Sequence, residues 1–220
     1  MYYHDRNRHL PDSITCLHSL QVLELGCFRQ EKSLFQPVSF HLAAGSGIWI
    51  KGPNGIGKSS LLRLIAGLAT GKENSLRWND DWLETNKAAY LAQLHYLGHT
   101  DGLRTGLTVM ENLQLAATLA QQTLQQVAET IATLQLDSVQ HTQIQHLSAG
   151  QKRRAALARF FMLPRALWIL DEPLTSLDAD TQQMVTANIN AHLQQGGLCI
   201  LTSHQPLSLQ NFMQLELTAC

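Results

Sequence analysis

The stretch Ile48-Trp49-Ile50-Lys51-Gly52-Pro53-Asn54-Gly55-Ile56-Gly57-Lys58-Ser59-Ser60 decides the fold. Its apolar start, 48–51, reads as a buried strand running straight into a glycine-rich turn. From Lys58 to position 67 the period becomes helical, with Leu61, Leu62, Ile65 and Leu68 on one face and Gly67 and Gly71 closing the segment. Strand, Gly-x-x-x-x-Gly-Lys-Ser and helix, in that order, make the phosphate-binding loop pattern in the context it requires. Glycines let the backbone bend so that successive N–H groups point at phosphate oxygens, and the new helix adds the positive end of its dipole. Residues Gly52 to Ser60 are therefore expected to hold ATP, with Lys58 facing the β- and γ-phosphates and the Ser59 hydroxyl offered to Mg2+.

Downstream, Leu167-Trp168-Ile169-Leu170 is an apolar run ending in two adjacent acids, Asp171 and Glu172. A buried strand delivers its last residues to the carboxyl edge of a sheet, where open α/β folds bind ligands. Alone, such a pair is more often a helix cap or loop charge. Behind a phosphate-binding loop it reads as catalytic: Asp171 for Mg2+, through water, and Glu172 as the base that polarises the attacking water.

The rest of the chain supplies the frame. Strands are expected at 22–26, 38–42, 48–51, 166–170 and 198–202, and helices at 147–163, stopped by Pro164, and at 181–193, ended by Gly196-Gly197. This alternation predicts an α/β protein with a mainly parallel, covered core sheet. Between about 105 and 163 the character changes. Leu113, Ala116, Ala120, Leu124, Val127, Ile131 and Leu134 recur at helical steps, and Thr108-x-x-Glu111 and Thr123-x-x-Gln126 read as capping boxes that start two helices. A helical subdomain inserted in the α/β core is the expectation. Residues 1–20 read as an N-terminal extension and 21–220 as a single domain.

Leu147-Ser148-Ala149-Gly150-Gln151 is locally another capping box, and its helix start would also suit a γ-phosphate. With Ser176-Leu177-Asp178 and with His204 after the strand at 198–202, the series of motifs resembles the ABC ATPase family over nearly the whole chain. That resemblance implies a P-loop NTPase fold with an antiparallel β portion beside the core sheet, and a head-to-tail homodimer in which Ser148, Ala149, Gly150 and Gln151 of one subunit cap ATP held by the other. It makes Asp178 part of the D-loop, His204 the switch histidine at the γ-phosphate, and His99 the occupant of the position where most of the family carries the Q-loop glutamine. Alone, a histidine after a strand is more often structural. The adenine-stacking position falls on Phe28 or Arg29, between which the residues do not decide.

Within the family, Cys27-Phe-Arg29, Tyr96-Leu-Gly-His99, Leu167-Trp-Ile-Leu-Asp-Glu-Pro173 and Leu201-Thr-Ser-His-Gln-Pro-Leu207 resemble the ATP-binding subunits of haem exporters in bacterial cytochrome c maturation. The resemblance implies membrane-spanning partner subunits and a peripheral place on the cytoplasmic face of the inner membrane. An ATPase for another solute, or a soluble ABC ATPase acting on nucleic acid or ribosomes, are the alternatives.

Bulk properties agree. Of 220 residues, 45% are apolar and 15% charged, as in an ordinary globular protein, and a net charge of −1 gives no basic field for nucleic acid. No apolar run approaches the roughly 18 residues a membrane-spanning helix needs. Cys16, Cys27, Cys199 and Cys220 have neither disulfide nor metal-site spacing, and the ten histidines give no expected transition-metal site.

Overall fold

The computed structural model describes residues 18–29, 32–71, 73–205 and 207–220; residues 1–17, most of the expected extension, lie outside them. Strand β1 (Ser19–Leu25) takes in the last two residues assigned to that extension, because Leu20 is fully buried. The chain continues through a short hairpin, β2 (Phe28–Arg29) and β3 (Lys32–Ser33), to β4 (Val38–Ala43), β5 (Gly47–Lys51) and helix α1 (Lys58–Ile65). Next come β6 (Leu76–Trp78), β7 (Asp81–Trp82), a short helix α2 (Lys87–Ala92) and β8 (Leu94–Leu97). Three helices follow, α3 (Val109–Leu119), α4 (Leu124–Thr133) and α5 (Ala149–Met162), and then β9 (Leu167–Asp171), α6 (Ala179–Gln194), β10 (Leu198–Thr202) and β11 (Phe212–Glu216).

Apart from the β2–β3 hairpin, which forms a two-stranded sheet by itself, the strands sort into two sheets. One is antiparallel, in the order β4-β1-β6-β7, and the other is parallel, in the order β11-β5-β10-β9-β8. All five residues of β9 and all five of β10 are buried, as expected for central parallel strands covered on both faces. Their register pairs Thr202 with Asp171, so the ends of both strands arrive together at the carboxyl edge.

Helices α3, α4 and α5 share a core of their own, built on Val109, Leu113, Val127, Ile131, Ala155 and Met162. The opposite side of α5, through Ala156, Leu157 and Phe160, packs with Trp168 and Leu170 of β9. Helix α5 is therefore the shared wall between the helical layer and the parallel sheet.

Both expected capping boxes form: Thr108 with Glu111 starts α3, and Thr123 with Gln126 starts α4. Two apolar assignments need correction. Leu68 is exposed, since α1 ends at Ile65 and Gly67 turns the chain left-handed (φ +67°) before Leu68 can complete the stripe. Leu124 is exposed as well, being the first residue of α4, ahead of the turn that faces the core.

Candidate nucleotide site

Most of the residues singled out above meet in one cavity of about 920 Å3 at the carboxyl edge of the parallel sheet. Asn54, Gly55, Gly57, Lys58, Ser59 and Ser60 line one side. Asp171, Glu172 and His204 line the cavity too, as do His99, Ala149, Lys152 and Arg153.

The glycines explain the loop. Gly52 (φ +144°), Gly55 (φ +80°) and Gly57 (φ +111°) all adopt backbone conformations that side chains resist. At Gly57 a Cβ would also lie 2.9 Å from the Phe35 ring, so the start of α1 needs hydrogen there on two counts. Gly57 is the N-cap of α1 and offers no side-chain acceptor, which leaves the first N–H groups of the helix free for an anion. Lys58 is 9% exposed and donates to the carbonyls of Gly52 (2.7 Å) and Pro53 (3.1 Å). Among the described residues no carboxylate pairs with it, so a buried ammonium faces the cavity held only by neutral carbonyls. A polyphosphate fits that charge. Ile56 points the other way and packs against the main core.

Across the cavity the acids are held by β10. The Thr202 hydroxyl donates to Asp171 Oδ1 (2.7 Å) and accepts from the Glu172 N–H (3.0 Å). Thr202 is fully buried, and this one hydroxyl ties the Asp171 carboxylate to the Glu172 backbone. Glu172 sits in the left-handed region (φ +50°), a strained choice for a residue other than glycine. Its Oε2 accepts from the His204 N–H (3.2 Å), while Oε1 makes no hydrogen bond and stands 3.5 Å from His204 Nε2. A buried carboxylate oxygen without a donor, beside an imidazole and above a phosphate cradle, is placed to accept a proton from a water. Ser59 and Asp171 add hard oxygen donors on the same cavity, the kind that Mg2+ takes.

The 148–151 segment lies at the N-terminus of α5. Ser148 accepts from the Gln151 N–H (3.2 Å), and the Gln151 side chain returns the bond to the Ser148 N–H (2.9 Å). Of the four residues only Ala149 lines the cavity of its own chain, and Ser148 is exposed. At Gly150 a Cβ would stand 2.6 Å from the Ser176 carbonyl oxygen, so the glycine permits α5 to press on the loop after β9. Asp178 caps α6 through the Thr181 N–H (2.8 Å), a bond that lowers its carboxyl below the usual range, and does not line the cavity. The side chains of Phe28 and Arg29, between which the adenine contact was left open, lie outside the described residues.

The comparisons with known proteins bear directly on this geometry. Residues 35–175, well over half of the chain, match the family described as ABC transporter. The chain belongs to the ABC transporter family. It is 40% identical to the cytochrome c biogenesis ATP-binding export protein CcmA of Yersinia pseudotuberculosis, over 86% of this chain and 87% of that one. It is 35% identical to the protein of the same description from Nitrosospira multiformis, over 91% of this chain and 99% of that one. A putative ABC transporter ATP-binding protein of Pyrococcus furiosus superposes with a TM-score of 0.77 over 90% of this chain and 97% of its own, at 20% identity, which speaks for the fold alone. As an ABC ATPase the chain binds ATP and hydrolyses it.

Two members of this ABC ATPase site carry signals that pattern reading passed over. Arg153 falls on the stripe Ala149, Arg153, Ala156, Phe160 at helical steps, so an arginine sits on the buried face of α5. Thr202 pairs with Asp171 once β9 and β10 are laid side by side in parallel register.

Proposed function

We propose that this chain is the ATP-hydrolysing subunit of a haem-exporting ABC complex serving cytochrome c assembly. The observation that carries the reading is near-full-length identity of 40% to an export protein of cytochrome c biogenesis. Haem itself enters through the sequence resemblance described above.

In this reading Gly52 to Ser60 wrap the phosphates, and Lys58 leaves its carbonyl partners to meet the β- and γ-oxygens. Ser59 and Asp171 would hold Mg2+ through their oxygens, and the ion would supply neutralisation of phosphate charge. Glu172 Oε1 takes the proton of the attacking water, and His204 contacts the γ-phosphate while holding Glu172 through its own N–H. Ser148, exposed at the start of α5, would cap ATP held by a second copy of the chain. The functional unit is then a head-to-tail homodimer with two ATP sites. It docks on membrane-spanning subunits at the cytoplasmic face of the inner membrane, with no role for nucleic acid.

The test is capture of tagged Glu172→Gln protein from native membranes in MgATP, followed by identification of what accompanies it. Recovery of cytochrome c maturation membrane subunits is the expected result. Recovery of an unrelated permease would move the substrate elsewhere, and recovery of ribosomes or nucleic acid would replace the transport reading altogether.

A further inference from the structure

We propose that Arg153 is a positioning residue for hydrolysis, whose buried guanidinium sets Glu172 in its working conformation and ties it to the loop that carries His99. The inference rests on the reading of Glu172 as catalytic base.

Arg153 is 6% exposed and uses its whole donor set inside the protein. Nε donates to the Pro173 carbonyl (3.3 Å), and Nη2 to the carbonyls of Asp171 (2.5 Å) and Glu172 (2.7 Å). Nη1 donates to the Gly98 carbonyl (3.1 Å) and to Asp101 Oδ1 (3.0 Å). A guanidinium has five N–H donors in a fixed fork, and here all five directions are taken. Arg153 lines the nucleotide cavity yet has no donor left for phosphate, so its contribution runs through the backbone it holds.

That backbone is unusual. Successive carbonyls in an extended strand point to opposite sides, so three in a row cannot meet one group. The carbonyls of Asp171, Glu172 and Pro173 do converge on Arg153, because the chain turns left-handed at Glu172. The strained turn and the converging carbonyls are one feature, and the guanidinium is what rewards it. Through Gly98 and Asp101 the same side chain grips the segment on both sides of His99, which itself lines the cavity. Lysine cannot substitute: three donors on a point charge do not reproduce the fork.

The experiment compares Arg153→Lys, Asp101→Asn, Glu172→Gln and the double variant Arg153→Lys/Glu172→Gln, each assembled with its membrane subunits. MgATP affinity, KM and single-turnover hydrolysis are measured for each. Arg153→Lys is expected to keep MgATP affinity within about threefold while slowing hydrolysis on the order of 10²-fold, the usual cost of a misplaced catalytic group. Asp101→Asn, which leaves the four carbonyl bonds in place, slows it less. The double variant hydrolyses no more slowly than Glu172→Gln alone, since a residue that acts through Glu172 has nothing further to lose. Wild-type hydrolysis in Arg153→Lys overturns the proposal, as does a full additional loss in the double variant. If Arg153→Lys does not fold, Asp101→Asn decides, and unchanged hydrolysis there overturns it. Normal hydrolysis in Glu172→Gln is a separate outcome, which removes the base assignment rather than the hold that Arg153 has on the backbone.

Discussion

Single atoms decide the chemistry of this site. Thr202 Oγ1 is the smallest of them, one hydroxyl shared between the Asp171 carboxylate and the Glu172 N–H. Thr202→Val keeps the shape of the side chain and removes the donor, leaving a buried carboxylate short of a partner. We expect a loss of about 1–3 kcal/mol in unfolding free energy, read from denaturant titration, together with slower ATP hydrolysis. Lys58→Ala removes the cation that faces the phosphates and should weaken MgATP binding by a factor of ten or more, about 1.4 kcal/mol or above, in a titration with a fluorescent ATP analogue. Unchanged affinity would show that Lys58 stays on the Gly52 and Pro53 carbonyls when nucleotide binds. The types and order of these residues were open to reading in the sequence. Glu172, His204 and Lys58 stand on one cavity because strand ends and a loop bring them there. What could not be read was the φ of +50° at Glu172 or the Thr202 bridge, since both depend on which strands lie side by side.

At the scale of elements, helix α5 and strand β9 do the joining. At its N-terminus α5 also meets the loop after β9, where the missing Cβ of Gly150 lets the Ser176 carbonyl approach. Gly150→Ala should push α5 and that loop apart, lowering hydrolysis more than MgATP affinity, because neither Gly150 nor the Ser176 carbonyl belongs to the phosphate-binding loop. Equal losses in both would place the effect elsewhere. The starts of α3, α4 and α5 were legible because capping boxes announce themselves locally. Helix α2 and the β6–β7 pair were missed. Six residues of helix with one buried side chain, Tyr90, and a two-residue strand carry too little period to register. Leu68 and Leu124 went wrong for the complementary reason: periodicity continues in the letters after the helix has stopped, or before its core-facing turn begins.

At the scale of the whole molecule, two buried histidines make stability depend on pH. His192 stacks on Trp168 (4.0 Å between ring centroids, 6° between planes) and bonds the Leu198 carbonyl; burial lowers its pKa to about 4. The ring of His95, enclosed beside Phe160 and bonded to the Leu163 carbonyl, is lowered to about 3, chiefly by burial. Both are neutral in the folded protein at pH values where an unfolded histidine, near 6.5, already takes up a proton. The unfolded state therefore binds more protons below about 6.5, and stability falls as pH drops from there toward 4. Each buried histidine adds at most about 1.4 kcal/mol per pH unit to that slope. Denaturation midpoints measured from pH 7 to 4.5 should decline, and His192→Gln should flatten the decline; an unchanged slope would exclude His192 as a source.

Two sheets and a helical layer, joined through α5, bring Glu172, proposed above as the general base, onto one cavity with the glycine-rich loop, and leave Ser148 exposed at a helix N-terminus of the same chain. Hydrolysis by that base is the central claim, and single-turnover ATP hydrolysis by Glu172→Gln tests it most directly. The base assignment predicts MgATP binding close to wild type, with hydrolysis slowed about 10²–10⁴-fold and an ATP-bound dimer of doubled mass accumulating in light scattering. Hydrolysis at the wild-type rate would contradict it.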